Sequence, residues 1–136
     1  MPELVCESVL LVAPPDDLNQ VHELLLDVWR QAPEVPETDR VCFETALIEL
    51  AANVIRHAGR GAGVRCRLSV EVRPTEVVAE IVDTGAPGEV DLAPRPMPGE
   101  SAESGRGIPM IQALVDEVHY GREDEHNRWW IARRLA

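Results

Sequence analysis

The sequence predicts an α/β two-layer sandwich: three main helices on one face of a mixed, mostly antiparallel sheet. Three observations lead there. VRCRLSVEV, residues 64–72, alternates apolar and polar without a fault, the two-residue period of a strand with one face in a core. Apolar residues recur at helical spacing at Leu18, Val21, Leu25 and Val28, and again at Ile111, Leu114, Val115 and Val118. The segments run strand, helix, helix, two strands, helix, two strands, and sequence-adjacent strands of this length pair most simply as antiparallel hairpins.

Each element follows from local chemistry. Residues 3–13, ELVCESVLLVA, are rich in β-branched residues and read as a strand that Pro14, Pro15 and Asp16 end. A helix is expected over 17–31, and Pro33 and Pro36 separate it from the next. Thr38 or Asp39 is the expected N-cap of a second helix that runs to about Ala58, where Gly59, Gly61 and Gly63 end it. EVVAEIVD, 76–83, follows a Pro74-Thr75 turn and forms a hairpin with 64–72. Residues 86–104 hold Pro87, Pro94, Pro96, Pro98, Gly88 and Gly99 and show no periodicity. Such a segment inside a compact domain is expected to be a lid or to lack order. A third helix and two short strands, near 118–122 and 128–135, complete a single domain, 1–136.

Composition narrows the function. The formal net charge is −11, which disfavours nucleic acid as a direct partner. All 13 strong bases are Arg, so a Walker-type phosphate loop and Schiff-base chemistry are excluded. Cys6, Cys42 and Cys66 are odd in number and widely spaced, and read as small buried hydrophobes in a reducing compartment. No secretory leader and no apolar run of ~18 residues is evident, so no membrane is expected and the cytoplasm is the expected location.

Three features carry chemistry. Glu49, Asn53 and His57 stand four residues apart on the second helix, a polar stripe that can face water or a ligand. Asp83 ends a strand and precedes TGAPG; its oxygens can accept hydrogens from an amino group such as that of adenine, while Gly85 and Gly88 let the backbone bend around a ring. SGRGIP, 104–109, opens the third helix, where Gly105 and Gly107 allow close approach and helix N–H groups suit phosphate. Pro109 fits a helix start. Asn53 offers an amide oxygen suited to Mg²⁺, and Glu49, one turn away, can take a proton from a water or hydroxyl attacking a γ-phosphate.

E-x-x-x-N on a helix, D-x-G-x-x-G after a strand, a lid, and G-x-G opening a helix resemble the N, G1 and G2 boxes of Bergerat-fold (GHKL) ATPases. Glu49-Leu-Ala-Ala-Asn53-Val-Ile-Arg-His57-Ala, Asp83-Thr-Gly85-Ala-Pro87 and Gly105-Arg-Gly107-Ile look most like bacterial anti-sigma factor serine/threonine kinases. The resemblance runs from about residue 8 to the end. It implies a histidine-kinase-like ATPase domain that holds ATP and Mg²⁺ beneath the lid, phosphorylates a serine of a STAS-type anti-anti-sigma protein and, in many members, binds a sigma factor; relatives often form homodimers. By motif it makes Glu49 the catalytic base and Asn53 the Mg²⁺ ligand. It sets Asp83, with Gly85 and Gly88, around the adenine, and Gly105, Arg106 and Gly107 around the phosphates; Arg56 and His57 follow on the Asn53 helix and reach the nucleotide. The chain also departs from these relatives. Where they carry a Gly-Thr pair entering the last strand, it has EHNRWW, 125–130, and Pro109 replaces a larger apolar residue. The alternative function is a catalytically weak or inactive nucleotide-binding anti-sigma module that acts by sequestering its partner.

Overall fold

A computed structural model describes residues 5–13, 17–58, 64–84 and 107–136. Five strands form one sheet in the order β1-β2-β3-β5-β4, with β1 Val5–Ala13, β2 Val64–Val72, β3 Glu76–Asp83, β4 Glu117–Glu123 and β5 His126–Arg134. Every pairing between these strands is antiparallel. The mixed character expected of the sheet is therefore absent among the described residues, while the two-layer class holds. The last strand in sequence is inserted between β3 and β4, so the sheet is not a simple meander.

Three helices, α1 Leu18–Gln31, α2 Glu37–Ala58 and α3 Gly107–Leu114, supply the second layer. Asp17 caps α1 with a capping box: its carboxylate accepts from the Asn19 N–H at 2.8 Å, and its own N–H donates to Gln20 Oε1 at 2.9 Å. Val21, Leu24, Leu25 and Val28 turn inward. On α2, Phe43, Ala46, Leu47, Leu50, Ala51 and Val54 form the buried stripe.

The expected N-cap of α2 is corrected. The helix starts at Glu37, because the Pro36 carbonyl already accepts from the Arg40 N–H at 3.0 Å. A proline there loses nothing, since helix bonding does not require its N–H. Asp39 instead lies inside the first turn, 2 % exposed. Its Oδ1 accepts from Arg133 Nε at 2.9 Å and its Oδ2 from the Ala136 N–H at 3.0 Å. Arg133 Nη1 also donates to the Leu114 carbonyl at 2.6 Å, so one guanidinium ties α2, α3 and β5 together.

The register shows what the helices cover. Three helix-facing rows cross the sheet as Val9-Leu68-Ile81-Trp129, Glu7-Val70-Ala79-Ile131 and Val5-Val72-Val77, apolar except for Glu7 on the edge strand, whose carboxylate accepts from Gln31 Nε2 at 2.7 Å. Polar pairs bracket them. At one end Arg133, opposite Val77, meets Asp39; at the other the row Leu11-Cys66-Asp83-Asn127 places an acid and an amide side by side. The expectation for the cysteines holds for Cys66, which is buried in that row, and fails for Cys6, which is exposed because it points away from the helices on the edge strand.

β4 and β5 are joined by a two-residue turn in which Asp124 has φ 52° and Glu125 φ 63°. Both are left-handed, as a type I′ hairpin requires, and glutamate in particular does not favour that region. Glu125→Gly is expected to raise stability by about 0.5–1 kcal/mol. A urea unfolding midpoint checks it, and a lower midpoint speaks against the strain.

Candidate functional site

Asp83 and Asn127 interrupt the apolar pattern where it should continue, and both are buried, at 1 % and 4 % exposure. Leaving such groups without partners costs about 1–3 kcal/mol each, so their surroundings must satisfy them. They do. Asn127 Nδ2 donates to Asp83 Oδ1 at 2.9 Å. Asn127 Oδ1 accepts from the Tyr120 hydroxyl at 2.5 Å and from Arg122 Nη1 at 3.0 Å. All four residues lie on the helix-facing side of adjacent strands, since Tyr120 pairs with Trp129 and Arg122 with Asn127. Tyr120 is further fixed by its ring contact with Trp129, 4.6 Å between centroids. Just beyond Asp83 the Thr84 N–H donates to the Arg65 carbonyl at 3.1 Å, which sets where the chain leaves the sheet.

Glu49 and Asn53 are half-buried on α2, beside its buried stripe. The path of α2 decides where they sit. Its first turn is held at Arg133, and it touches both β3 and β5. From Asp39 to Asn53 a helix rises ~21 Å, and from Arg133 back to Asn127 a strand spans ~20 Å. A helix laid along the strands would bring Asn53 level with the Asp83–Asn127 row, with Glu49 one turn before it. α2 ends at Ala58 and β2 begins at Val64, opposite Ala13, at that same end of the sheet. The later turns of α2, with Asn53, thus lead toward the end of the sheet that holds the Asp83–Asn127 row.

The remaining expected residues divide plainly. Arg56 is exposed in the last turns of α2. His57 is helical there, and its side chain lies outside the described residues, as do Gly85, Gly88, Gly105 and Arg106 and the whole expected lid, 86–104. Gly107 is the first residue of α3, which packs against α2. Pro109 is buried in the first turn of that helix, where N–H groups lack internal partners, so it removes no needed bond.

Asn127 is the residue that sequence reasoning misses. The sequence shows it only as part of an altered motif, yet a signal is present. Asn127, Trp129 and Ile131 alternate along β5, so an inward Trp and Ile imply an inward Asn, and an inward Asn in a central strand needs a reason.

The donor set fits a purine nucleotide. A buried carboxylate such as Asp83 is an acceptor of the kind an exocyclic amino group needs. Among the described residues no three of His, Cys, Asp and Glu gather as a metal site. One amide oxygen, that of Asn53, suffices for Mg²⁺, which keeps several waters and takes its other ligands from phosphates. No helix among the described residues is long and apolar enough to cross a membrane.

Comparison with known proteins bears on the fold and the family. No curated protein sequence matches the chain. Among solved structures, the catalytic domain of the histidine kinase ThkA, in a nucleotide-free form, superposes with a TM-score of 0.51 at 11% identity, covering 95% of this chain and 97% of that one. At that identity the likeness speaks for the fold alone. The sequence profile of the histidine kinase-like ATPase domain matches residues 11–132, a span that takes in the Glu49–Asn53 stripe, Asp83 and Asn127. The chain belongs to the histidine kinase-like ATPase domain family, whose members are typically ATP-utilising enzymes.

Proposed function

We propose that the protein is an ATP-dependent serine/threonine kinase acting as an anti-sigma regulatory factor, with a serine of a STAS-type anti-anti-sigma protein as phosphoacceptor and a sigma factor as a second partner. One observation supports the nucleotide reading above all: the buried Asp83–Asn127 pair that stands in place of core residues at one end of the sheet. The sequence E-x-x-x-N with Arg56 and His57 in register is what favours the anti-sigma kinases within the family.

The roles follow from the chemistry of each group. Asp83 accepts from the adenine amino group. Asn53 offers its amide oxygen to Mg²⁺, and bound Mg²⁺ neutralises charge on the phosphates. The start of α3, with Gly107 and the preceding Gly105 and Arg106, meets the phosphate oxygens through N–H groups. Glu49 accepts the serine proton as the serine oxygen bonds to the γ-phosphorus and the bond from that phosphorus to the bridging oxygen of ADP breaks.

Calorimetry with ATP, with and without Mg²⁺, tests the binding. Heat of binding that depends on Mg²⁺ is expected, and Asn53→Ala is expected to lose that dependence. No heat at millimolar nucleotide sinks the kinase reading. Incubation with labelled ATP and the STAS proteins of the same genome then tests transfer. Binding of ATP and of a sigma factor without transfer to any of them favours the sequestering module.

A further inference from the structure

We infer that the face of the sheet turned away from the helices carries, at its β1–β2 edge, a docking surface for an acidic segment of a partner protein that also bears apolar side chains. This goes beyond the nucleotide reading and does not rest on it, because the residues concerned point to the opposite side of the sheet from Asp83 and the helices.

Two irregularities point there. The first lies in β1, an edge strand. A strand with one wet face alternates, yet Val9-Leu10-Leu11-Val12 is apolar on both faces. Val9 and Leu11 pack into the core. Leu10 and Val12 point the other way and are 55 % and 36 % exposed, two of the four exposed large apolar residues among the described residues. Edge strands ordinarily guard such positions with charge, and an apolar pair left open at an edge is a liability unless something covers it.

The second lies in β2. The register sets Arg67 opposite Leu10 and Arg65 opposite Val12. Both arginines are exposed, and neither guanidinium has a hydrogen-bond or ion-pair partner among the described residues. Other arginines on this face differ: Arg73 pairs with Glu71 and Glu76, and Arg128 lies 4.0 Å from Glu80. The row Leu10-Arg67-Val82-Arg128-Gly121 holds no acid. Glu80, Glu71 and Glu117 stand in the next two rows, and Glu123 is on the opposite edge strand. Cation and apolar side chain thus stand side by side, twice, at one corner of the face.

Charge and shape select the occupant. The chain as a whole carries −11, which opposes a broad anionic surface such as a duplex or a membrane. A short segment can meet the corner alone, where the local sign is reversed. Its carboxylates suit the planar donor forks of Arg65 and Arg67. Its apolar side chains cover Leu10 and Val12, which a phosphate backbone leaves bare. Arg65 and Arg67 are two residues apart on a strand, ~7 Å, close to the ~6 Å rise between acids four residues apart on a helix.

The test selects random peptides on the full chain. The enriched peptides are then measured by fluorescence anisotropy against the wild type, Arg65→Glu/Arg67→Glu and Leu10→Ser, with thermal unfolding as the check on folding. They are expected to be acidic and apolar, the reverse of what a chain of charge −11 attracts as a whole. Their affinity is expected to fall by about tenfold or more in Arg65→Glu/Arg67→Glu, to fall in Leu10→Ser, and to weaken in the wild type as salt is raised. Should Arg65→Glu/Arg67→Glu not fold, Arg65→Gln/Arg67→Gln, which removes the charge without reversing it, carries the comparison. Enriched peptides that are basic, or that bind the double variant as tightly as the wild type, overturn the inference. So does a wild type that sediments alone as a dimer which the double variant does not form, since the face then belongs to a second copy. Binding to phosphatidylserine vesicles that the double variant loses assigns the face to a membrane and overturns it as well. Mg²⁺-ATP affinity, read on the same samples, is expected to be unchanged by these substitutions, and its absence from the wild type counts against the nucleotide reading alone.

Discussion

Glu49→Gln is expected to leave ATP affinity near that of the wild type and to lower phosphoryl transfer to the proposed STAS-type partner by about 10²–10⁴-fold. The substitution keeps size, helix propensity and a hydrogen-bonding head at a half-buried place on α2, so the fold has no cause to change. It removes only the ability to accept a proton at neutral pH. A general base acts in the transfer step and contributes little to holding the nucleotide, whereas Asn53, the proposed ligand to the ion, is expected to matter to both. Single-turnover transfer at saturating ATP separates the two effects. Transfer at the wild-type rate in Glu49→Gln removes Glu49 from the role of base.

Asp39→Ala is expected to destabilise the protein by about 3 kcal/mol, a fall in melting temperature of roughly 10 °C. The carboxylate is buried and receives both Arg133 Nε and the Ala136 N–H. Its removal leaves a largely buried guanidinium with the Leu114 carbonyl but without its counter-charge. Asp39→Asn keeps an acceptor and is expected to lose less. Because Asp39 is far along α2 from Asn53, at its first turn, ATP affinity of the folded Asp39→Ala fraction is expected to stay within a few fold of wild type. A change below about 0.5 kcal/mol, the ordinary range for a surface substitution, shows that the clamp is not a stability determinant.

Elements whose pattern is set by burial on one face are readable from sequence with little error. β2 and β3 fall on the expected residues, because a strand with one wet face must alternate, and α1 falls within a residue of its expected start. The start of α2 is misread from sequence, since an acid two or three residues after a proline resembles a cap. Only the fold reveals that Asp39 has a partner nearly one hundred residues away. The site divides in the same way. Glu49, Asn53 and Asp83 are legible as polar residues at helical spacing or at a strand end. Asn127 is not, because its meaning depends on which strand lies beside β3, and the insertion of β5 between β3 and β4 is a long-range choice that local pattern does not encode.

That insertion also governs the order in which the molecule can come into being on the ribosome. As a nascent chain lengthens, β1, β2 and β3 emerge in an order that lets each pair with its predecessor, but β4 has no neighbour until β5 follows it. Synthesis therefore reaches residue 123 with a three-stranded sheet whose β3 edge is open, and closing it takes contacts of high sequence separation, which form slowly. Asp83 spends this interval without the Asn127 amide, and the first turn of α2 without Arg133. Completion of the core and pairing of Asp83 with Asn127 thus both wait on β5, so a chain that lacks β5 exposes the β3 edge and leaves Asp83 without the Asn127 amide.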